Sequence, residues 1–250
     1  MNNIEEYKKY LLFPTQENLG IFSSERFISE TIKNPYGEVL VHHSDPAYLS
    51  GGKGLFERHN LPYPKGIVHV GMWKFEESDD YECLVGNKVI GIEANPDVYD
   101  SFSKPIGDIH DFQVYGFAAW DTDGDQLELH FDHSRMDCST VFDNTKSNFH
   151  VVYTKRLDTF FNEYGIDLSE YNCLNVDAEG AELRILKGCG EDLNKFDYVM
   201  VETSFDDRFN SDSDLESIEN YLSELGFEIK EIDSKFANYG WGDVFFVRKK

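Results

Sequence analysis

A mostly apolar run, Cys173 to Val176, leads through Asp177-Ala-Glu-Gly180 into a segment whose Leu183 and Leu186 share a helical face. A buried strand that hands over to a helix through so short a turn points to an open α/β sheet, whose chemistry lies at the carboxyl ends of its strands. Gly188 stands where a left-handed residue would stop the helix. Asp177 then falls at the end of one strand, and a second apolar run, Tyr198 to Val201, ends in Glu202 at what reads as the same edge. Acids near a helix start also complement its dipole, and any one of these carboxylates fits that plainer role. The set Asp177, Glu179 and Glu202 fits it less well, because helix capping does not call for acids that end two separate strands.

The same pattern recurs along the chain. Ile67 to Val70, Val89 to Glu93 and Gln113 to Ala119 are runs of buried-strand length separated by helical stretches, which predicts a mainly parallel sheet. Between Leu127 and Thr154 the alternation in Gln126-Leu-Glu-Leu-His-Phe131 and a β-like run at Val151 to Tyr153 predict an inserted hairpin with a polar loop. Leu157, Phe160, Phe161 and Tyr164 form a helical face before Gly165, and Leu215, Ile218, Leu222 and Leu225 form another before Gly226. Ser213 and Glu216 have the spacing of a capping box for the second of these helices. Phe227 to Ile232 and Val244 to Val247 read as two closing strands of a hairpin. Residues 1 to 64 carry a helix-like stretch, Ile4 to Leu12, and turn signals at Asn34-Pro35, Gly51-Gly52 and Pro62-Tyr63-Pro64, and read as an appendage to a domain spanning 65 to 250.

Charge narrows the function classes. In 250 residues there are 47 acids and 23 bases, a net charge of −24, which opposes nucleic acid and anionic membranes as partners. The four cysteines show no Cys-x-x-Cys spacing, no basic and apolar leader opens the sequence, and no apolar stretch approaches the roughly 20 residues of a membrane span. A cytoplasmic protein is expected. The scattered histidines, including the His42-His43 pair, lack metal-ligand spacing.

The first strand ends in Gly71, where backbone amides could approach a ligand, and about 20 residues on, the second strand ends in Glu93, placed to bind ribose hydroxyls. The turn Gly71-Met-Trp-Lys-Phe-Glu-Glu77 lacks a glycine-rich phosphate cradle, and its acids would repel a pyrophosphate. S-adenosylmethionine (SAM) carries no phosphate and bears a sulfonium and an ammonium, so the acids favour it over NAD or ATP. Gly71, Met72, Glu76, Glu77, Glu93, Ala94 and Asn95 are the expected cofactor residues, with Ala118 and Ala119 leaving room for an adenine and Asp121 within reach of its amino group.

His69-Val-Gly71, Glu76-Glu77, Ile92-Glu-Ala-Asn-Pro96, Thr154-Lys-Arg-Leu-Asp158, Asn175-Val-Asp-Ala-Glu-Gly-Ala-Glu182, Leu186-Lys-Gly188 and Gly240-Trp-Gly-Asp-Val-Phe245 stand in one order along the chain. In that order they resemble the FkbM family of SAM-dependent methyltransferases over residues 66 to 250. The resemblance implies a Rossmann-like class I methyltransferase fold, a mainly parallel seven-stranded sheet with a C-terminal antiparallel hairpin, and O-methylation of sugars or natural-product hydroxyls. Family members commonly carry an acid where His69 stands, and a small residue and second glycine where this chain has Met72 and Trp73. The cofactor's amino group must then find another acid, for which Glu76 or Glu77 is the candidate.

The expected activity is transfer of a methyl group from SAM to a hydroxyl of a sugar or glycan. A natural-product acceptor or a non-catalytic SAM- or carbohydrate-binding module are the alternatives. Asp177 is the expected base, with Glu179 and Glu202 holding other hydroxyls; oxygen-only acids also suit Mg²⁺ or Ca²⁺, a reading ranked second, so no metal site is assigned. Ser139, Trp241 and Asp243 are the expected substrate contacts, Trp241 by stacking on a sugar ring.

Overall fold

The computed structural model describes residues 29–34, 37–42, 53–132, 135–204, 213–232 and 241–249. The expected helix from Ile4 to Leu12 and the Gly51-Gly52 turn lie outside them, and for Trp241 only the backbone is described. In chain order the elements are β1 Ser29–Asn34, β2 Gly37–His42, α1 Lys53–Arg58, β3 Ile67–Val70, α2 Ser78–Val85 and β4 Val89–Glu93. Then comes α3, which starts at Pro96–Val98, widens into one π turn at Tyr99–Ser103 and ends as Lys104–His110. There follow β5 Gln113–Gly116, β6 Ala118–Ala119, β7 Gln126–Asp132, β8 Arg135–Thr140, β9 Asn148–Lys155 and α4 Leu157–Glu163. The chain closes with β10 Cys173–Val176, α5 Glu182–Gly188, β11 Tyr198–Ser204, α6 Leu215–Glu224, β12 Phe227–Ile232 and β13 Trp241–Arg248. No helix among the described residues is long and apolar enough to cross a membrane.

Seven strands form the central sheet in the order β12-β13-β11-β10-β3-β4-β5. From β11 to β5 neighbours are parallel, whereas β13 runs antiparallel between β11 and β12. Every residue of β3, β4 and β10 is buried, as expected of parallel strands covered on both faces. Residue parity sorts the two cores: Val68, Val70, Leu174 and Val176 pack with α4, α5 and α6, while Ile67, Cys173, Tyr198 and Phe245 face α1 and α2. The chain winds outward from β3 through β4 to β5 and then returns to β10 on the other side of β3, so the crevice at their carboxyl ends is the topological switch point.

Four sequence expectations change. The run Gln113 to Ala119 is two strands: Gly116 is the last residue to pair with β4, and Ala118 and Ala119 pair with Thr154 and Lys155. They join a second sheet, β6-β9-β7-β8, in place of the expected simple hairpin. Gly188 is not a left-handed stop. A side chain there would lie 2.0 Å from the Trp120 carbonyl oxygen, and the positive φ comes at Gly190. Ser213 does not cap α6, because Asp214 takes that role by accepting from the Ser217 N–H (2.7 Å). The Ser213 hydroxyl instead donates to the Gly180 carbonyl (2.8 Å) and accepts from the Leu183 N–H (3.1 Å), tying the start of α6 to the turn before α5.

The last part of the expected appendage belongs to the core. Leu55 and Phe56 of α1 are fully buried, and the Phe56 ring meets those of Tyr198 and Phe245 edge-on at 5.2 and 5.8 Å. The Tyr198 hydroxyl donates to the Pro62 carbonyl (2.9 Å), and His59 Nε2 lies 2.5 Å from the Glu231 carboxylate on β12.

Candidate functional site

The β3 and β10 turns cross at close range. Gly71 (φ +81°) donates to the Ile92 carbonyl, Asp177 donates to that of Val70, and a side chain at Gly71 would sit 1.6 Å from the Asp177 carbonyl oxygen. Gly71 is thus demanded by the backbone crossing before any ligand is considered. Above it opens a cleft lined from several strand ends. Its floor is Val70 and Gly71, one wall is Glu93, Ala94, Ala118 and Ala119, and the other is Asp177 and Glu179.

Glu93 ends β4 almost fully buried. Its carboxylate accepts from the N–H groups of Trp73 (3.1 Å) and Asn95 (2.7 Å). Burial outweighs these donors, with Asp177 adding repulsion, and pushes the group up to about 7. Asn95 caps α3 by accepting from the Asp97 N–H (3.0 Å), and its amide donates to the Ser139 hydroxyl (3.0 Å), which lines the cleft from β8.

Five expected cofactor residues, Met72, Glu76, Glu77, Asn95 and Asp121, do not line the cleft. Met72 is buried in the core, where its sulfur fills the space a side chain at Gly91 would need. Asp121 lies off the cleft and pairs with Arg184 (3.1 Å), leaving the wall to Trp120. Glu76 is exposed. Glu77 is partly buried and pushed up to about 8, first by burial and then by Asp177, Glu76 and Asp243.

The carboxylates of Asp177, Glu179 and Glu202 lie within 4.8 Å of one another. Glu202 is paired across strands with Asp243, so four acids, from the turn after β10 and from β11 and β13, share one end of the sheet. Glu202 is held well above the usual carboxylate range by burial, then by Asp177, Asp243 and Glu179, and by a hydrogen bond with Asp177. Two carboxyl groups this close hold a proton between them. Helix-start charge matching accounts for a different acid: Glu182 accepts from the Ala178 and Gly180 N–H groups, both at 3.0 Å, and burial pushes it up to about 7. Glu179 has φ +50°, and its carbonyl accepts from the Thr140 hydroxyl (2.7 Å), which ties this left-handed residue to β8.

His69 is buried, and burial pushes it down to about 3, so it is neutral. Its Nδ1 lies 3.2 Å from the Tyr81 hydroxyl, which also accepts from the Asn175 amide (2.8 Å). Sequence reasoning missed the wall residues Trp73, Phe117, Trp120, Leu127, Leu129, Thr140 and Val141. The alternation in β7 marked Leu127 and Leu129 as inward-facing; nothing in the sequence marked the Trp73 backbone, which has φ +44°.

Glu77, Glu93 and Glu182 bind protons more tightly folded than unfolded, so the stability they contribute is present below their ordinary value of 4.5 and lost as pH rises through about 7 to 8. The melting temperature of the ligand-free protein is therefore expected to fall from about pH 5.5 to about pH 8.5, and Glu77→Gln to flatten that fall. Thermal melts across the range check this; a melting temperature that rises with pH contradicts it.

Residues 66–229 match the family described as the methyltransferase FkbM domain. The structure of Aeropyrum pernix fibrillarin with natively bound S-adenosyl-L-methionine aligns over 90% of this chain and 85% of its own, at 12% identity and a TM-score of 0.48. An O-methyltransferase from Bacillus cereus in complex with SAH aligns over 83% of each chain, at 11% identity and a TM-score of 0.46. No curated protein sequence matches the chain.

Proposed function

The chain belongs to the FkbM family of methyltransferases, with SAM as its methyl donor, and from that premise we propose that it methylates a hydroxyl of a sugar or glycan. The observation that carries this reading is the convergence of Asp177 and Glu179, in the turn after β10, with Glu202 near the carboxyl end of β11 and Asp243 across from it. Such a set accepts hydrogen bonds from several hydroxyls at once and repels an anionic acceptor.

The residues present suit the cofactor. Glu93 stands at the end of β4, the small side chains of Ala94, Ala118 and Ala119 leave a flat wall beside it, and acids flank the opposite side, where a cation is favoured. When bound, SAM supplies an electrophilic methyl group. The chain's own part is to hold the acceptor hydroxyl against Asp177, whose carboxylate takes the hydroxyl proton as the oxygen becomes nucleophilic. Alignment of the two reactants contributes roughly 7 kcal/mol or more in well-oriented systems. Glu202, sharing a proton with Asp177, orients that carboxylate.

Asp177→Asn is expected to lower turnover by about 10²- to 10⁴-fold while SAM affinity, read by calorimetry, stays within about twofold of wild type. Equal losses in both would move Asp177 to the cofactor side. The apolar wall of Leu127, Leu129 and Val141 also favours a second reading, a natural-product acceptor with a hydrophobic body. Turnover on neutral glycans against hydroxylated apolar compounds separates the two, and SAM binding with turnover on neither class favours a non-catalytic module.

A further inference from the structure

Sheet order fixes where the charged part of the cofactor must lie. Glu93 ends β4, Asp177 follows β10 and Glu202 lies near the carboxyl end of β11, while β3 runs between β4 and β10. With the ribose at Glu93 and the acceptor at Asp177, a bound sulfonium would lie between them, over the turn that leaves β3. That turn is Gly71-Met72-Trp73; Met72 is buried in the core, and Trp73 is among the residues that line the cleft.

The Trp73 backbone is fixed in a conformation that costs energy. Its φ of +44° is left-handed, a region that aromatic residues rarely occupy and that persists where the surroundings over-determine it. Two bonds do so here: its N–H donates to the Glu93 carboxylate (3.1 Å), and its carbonyl accepts from the Ser103 hydroxyl (2.8 Å). A glycine would take the same backbone without strain, so the indole is retained at a position that disfavours it. The ring already attracts one cation, with Lys74 Nζ 5.1 Å from its centroid and Phe102 packed beside it at 5.8 Å.

We propose that the Trp73 indole is a cation–π contact for the SAM sulfonium, set opposite the Asp177 and Glu179 carboxylates, and that it makes the cleft prefer the charged cofactor to its neutral product. The inference rests on the reading of the cleft as the SAM site. Methyl transfer removes the sulfonium charge, so the same contact weakens once the product S-adenosylhomocysteine has formed, which favours its release.

Calorimetry of SAM and S-adenosylhomocysteine against wild type, Trp73→Phe and Trp73→Leu tests it. Trp73→Leu is expected to weaken SAM binding roughly 5- to 20-fold and S-adenosylhomocysteine binding less than about 3-fold, with Trp73→Phe between wild type and Trp73→Leu for SAM. Should Trp73→Leu fail to fold, the double variant Trp120→Phe/Trp241→Phe keeps Trp73 as the only one of the three tryptophans, and its fluorescence should respond more strongly to SAM than to S-adenosylhomocysteine. Equal losses for the two ligands, no loss for either, or equal fluorescence responses overturn the proposal while leaving the cofactor site in place. Wild type that binds neither ligand overturns the cofactor reading itself.

Discussion

Gly71→Ala is expected to cost about 4–5 kcal/mol or more and to lower the melting temperature by roughly 10–20 °C, if the variant accumulates at all. The left-handed φ of +81° alone costs an alanine about 1–2 kcal/mol. The larger part comes from the crossing of the two turns. The new methyl group would lie 1.6 Å from the Asp177 carbonyl oxygen and 2.6 Å from its carbon, both of them backbone atoms that no rotamer change can move. Relief requires β3 and β10 to part at the point where Asp177 N–H bonds the Val70 carbonyl, which also displaces the Asp177 carboxylate. Thermal melts and SAM calorimetry read the two effects; a variant melting within about 2 °C of wild type would show that the turns are not so tightly crossed.

The second large effect concerns the N-terminal segment. Phe56→Ala is expected to destabilise the protein by about 3–5 kcal/mol, the usual range for removing a buried phenylalanine. Phe56 is 1% exposed and its ring meets Tyr198 and Phe245, residues of two central strands. A truncation that begins near Pro64 removes Leu55 and Phe56 together and uncovers that face of the sheet, so the remaining chain should aggregate instead of melting cooperatively. Denaturant unfolding of the point variant and gel filtration of the truncation measure these outcomes. A soluble, cooperatively melting truncation would return residues 53–64 to the standing of an appendage.

Apolar strand-length runs made the central sheet legible in the sequence, and the order of strands and helices predicted its parallel core and closing hairpin. The acids were legible because Asp177 and Glu202 directly follow buried strand residues. What escaped depended on backbone conformation or distant packing. Trp73 and Glu179 hold positive φ with no glycine to advertise it. Met72 is drawn into the core by the space over Gly91, a residue of the neighbouring strand. Ser213 faces a turn 33 residues earlier, so its capping pattern misled while its neighbour Asp214 took the helix start. Helix α1 is only 6 residues long and sits among turn signals, which hid its two core side chains.

After β6 the chain departs at Trp120 and comes back at Lys155, the end of β9, and these two residues are hydrogen-bonded to each other, N–H to carbonyl at 3.0 Å. A chain excursion whose ends meet can lengthen, shorten or be exchanged with little change in closure entropy. Residues 120–155 are therefore built as a cassette: they carry Leu127, Leu129, Ser139 and Thr140 of the cleft, while Glu93, Asp177 and Glu202 stay with the host sheet. Rewriting that one insert would change one wall of the cleft without moving the acids beneath it.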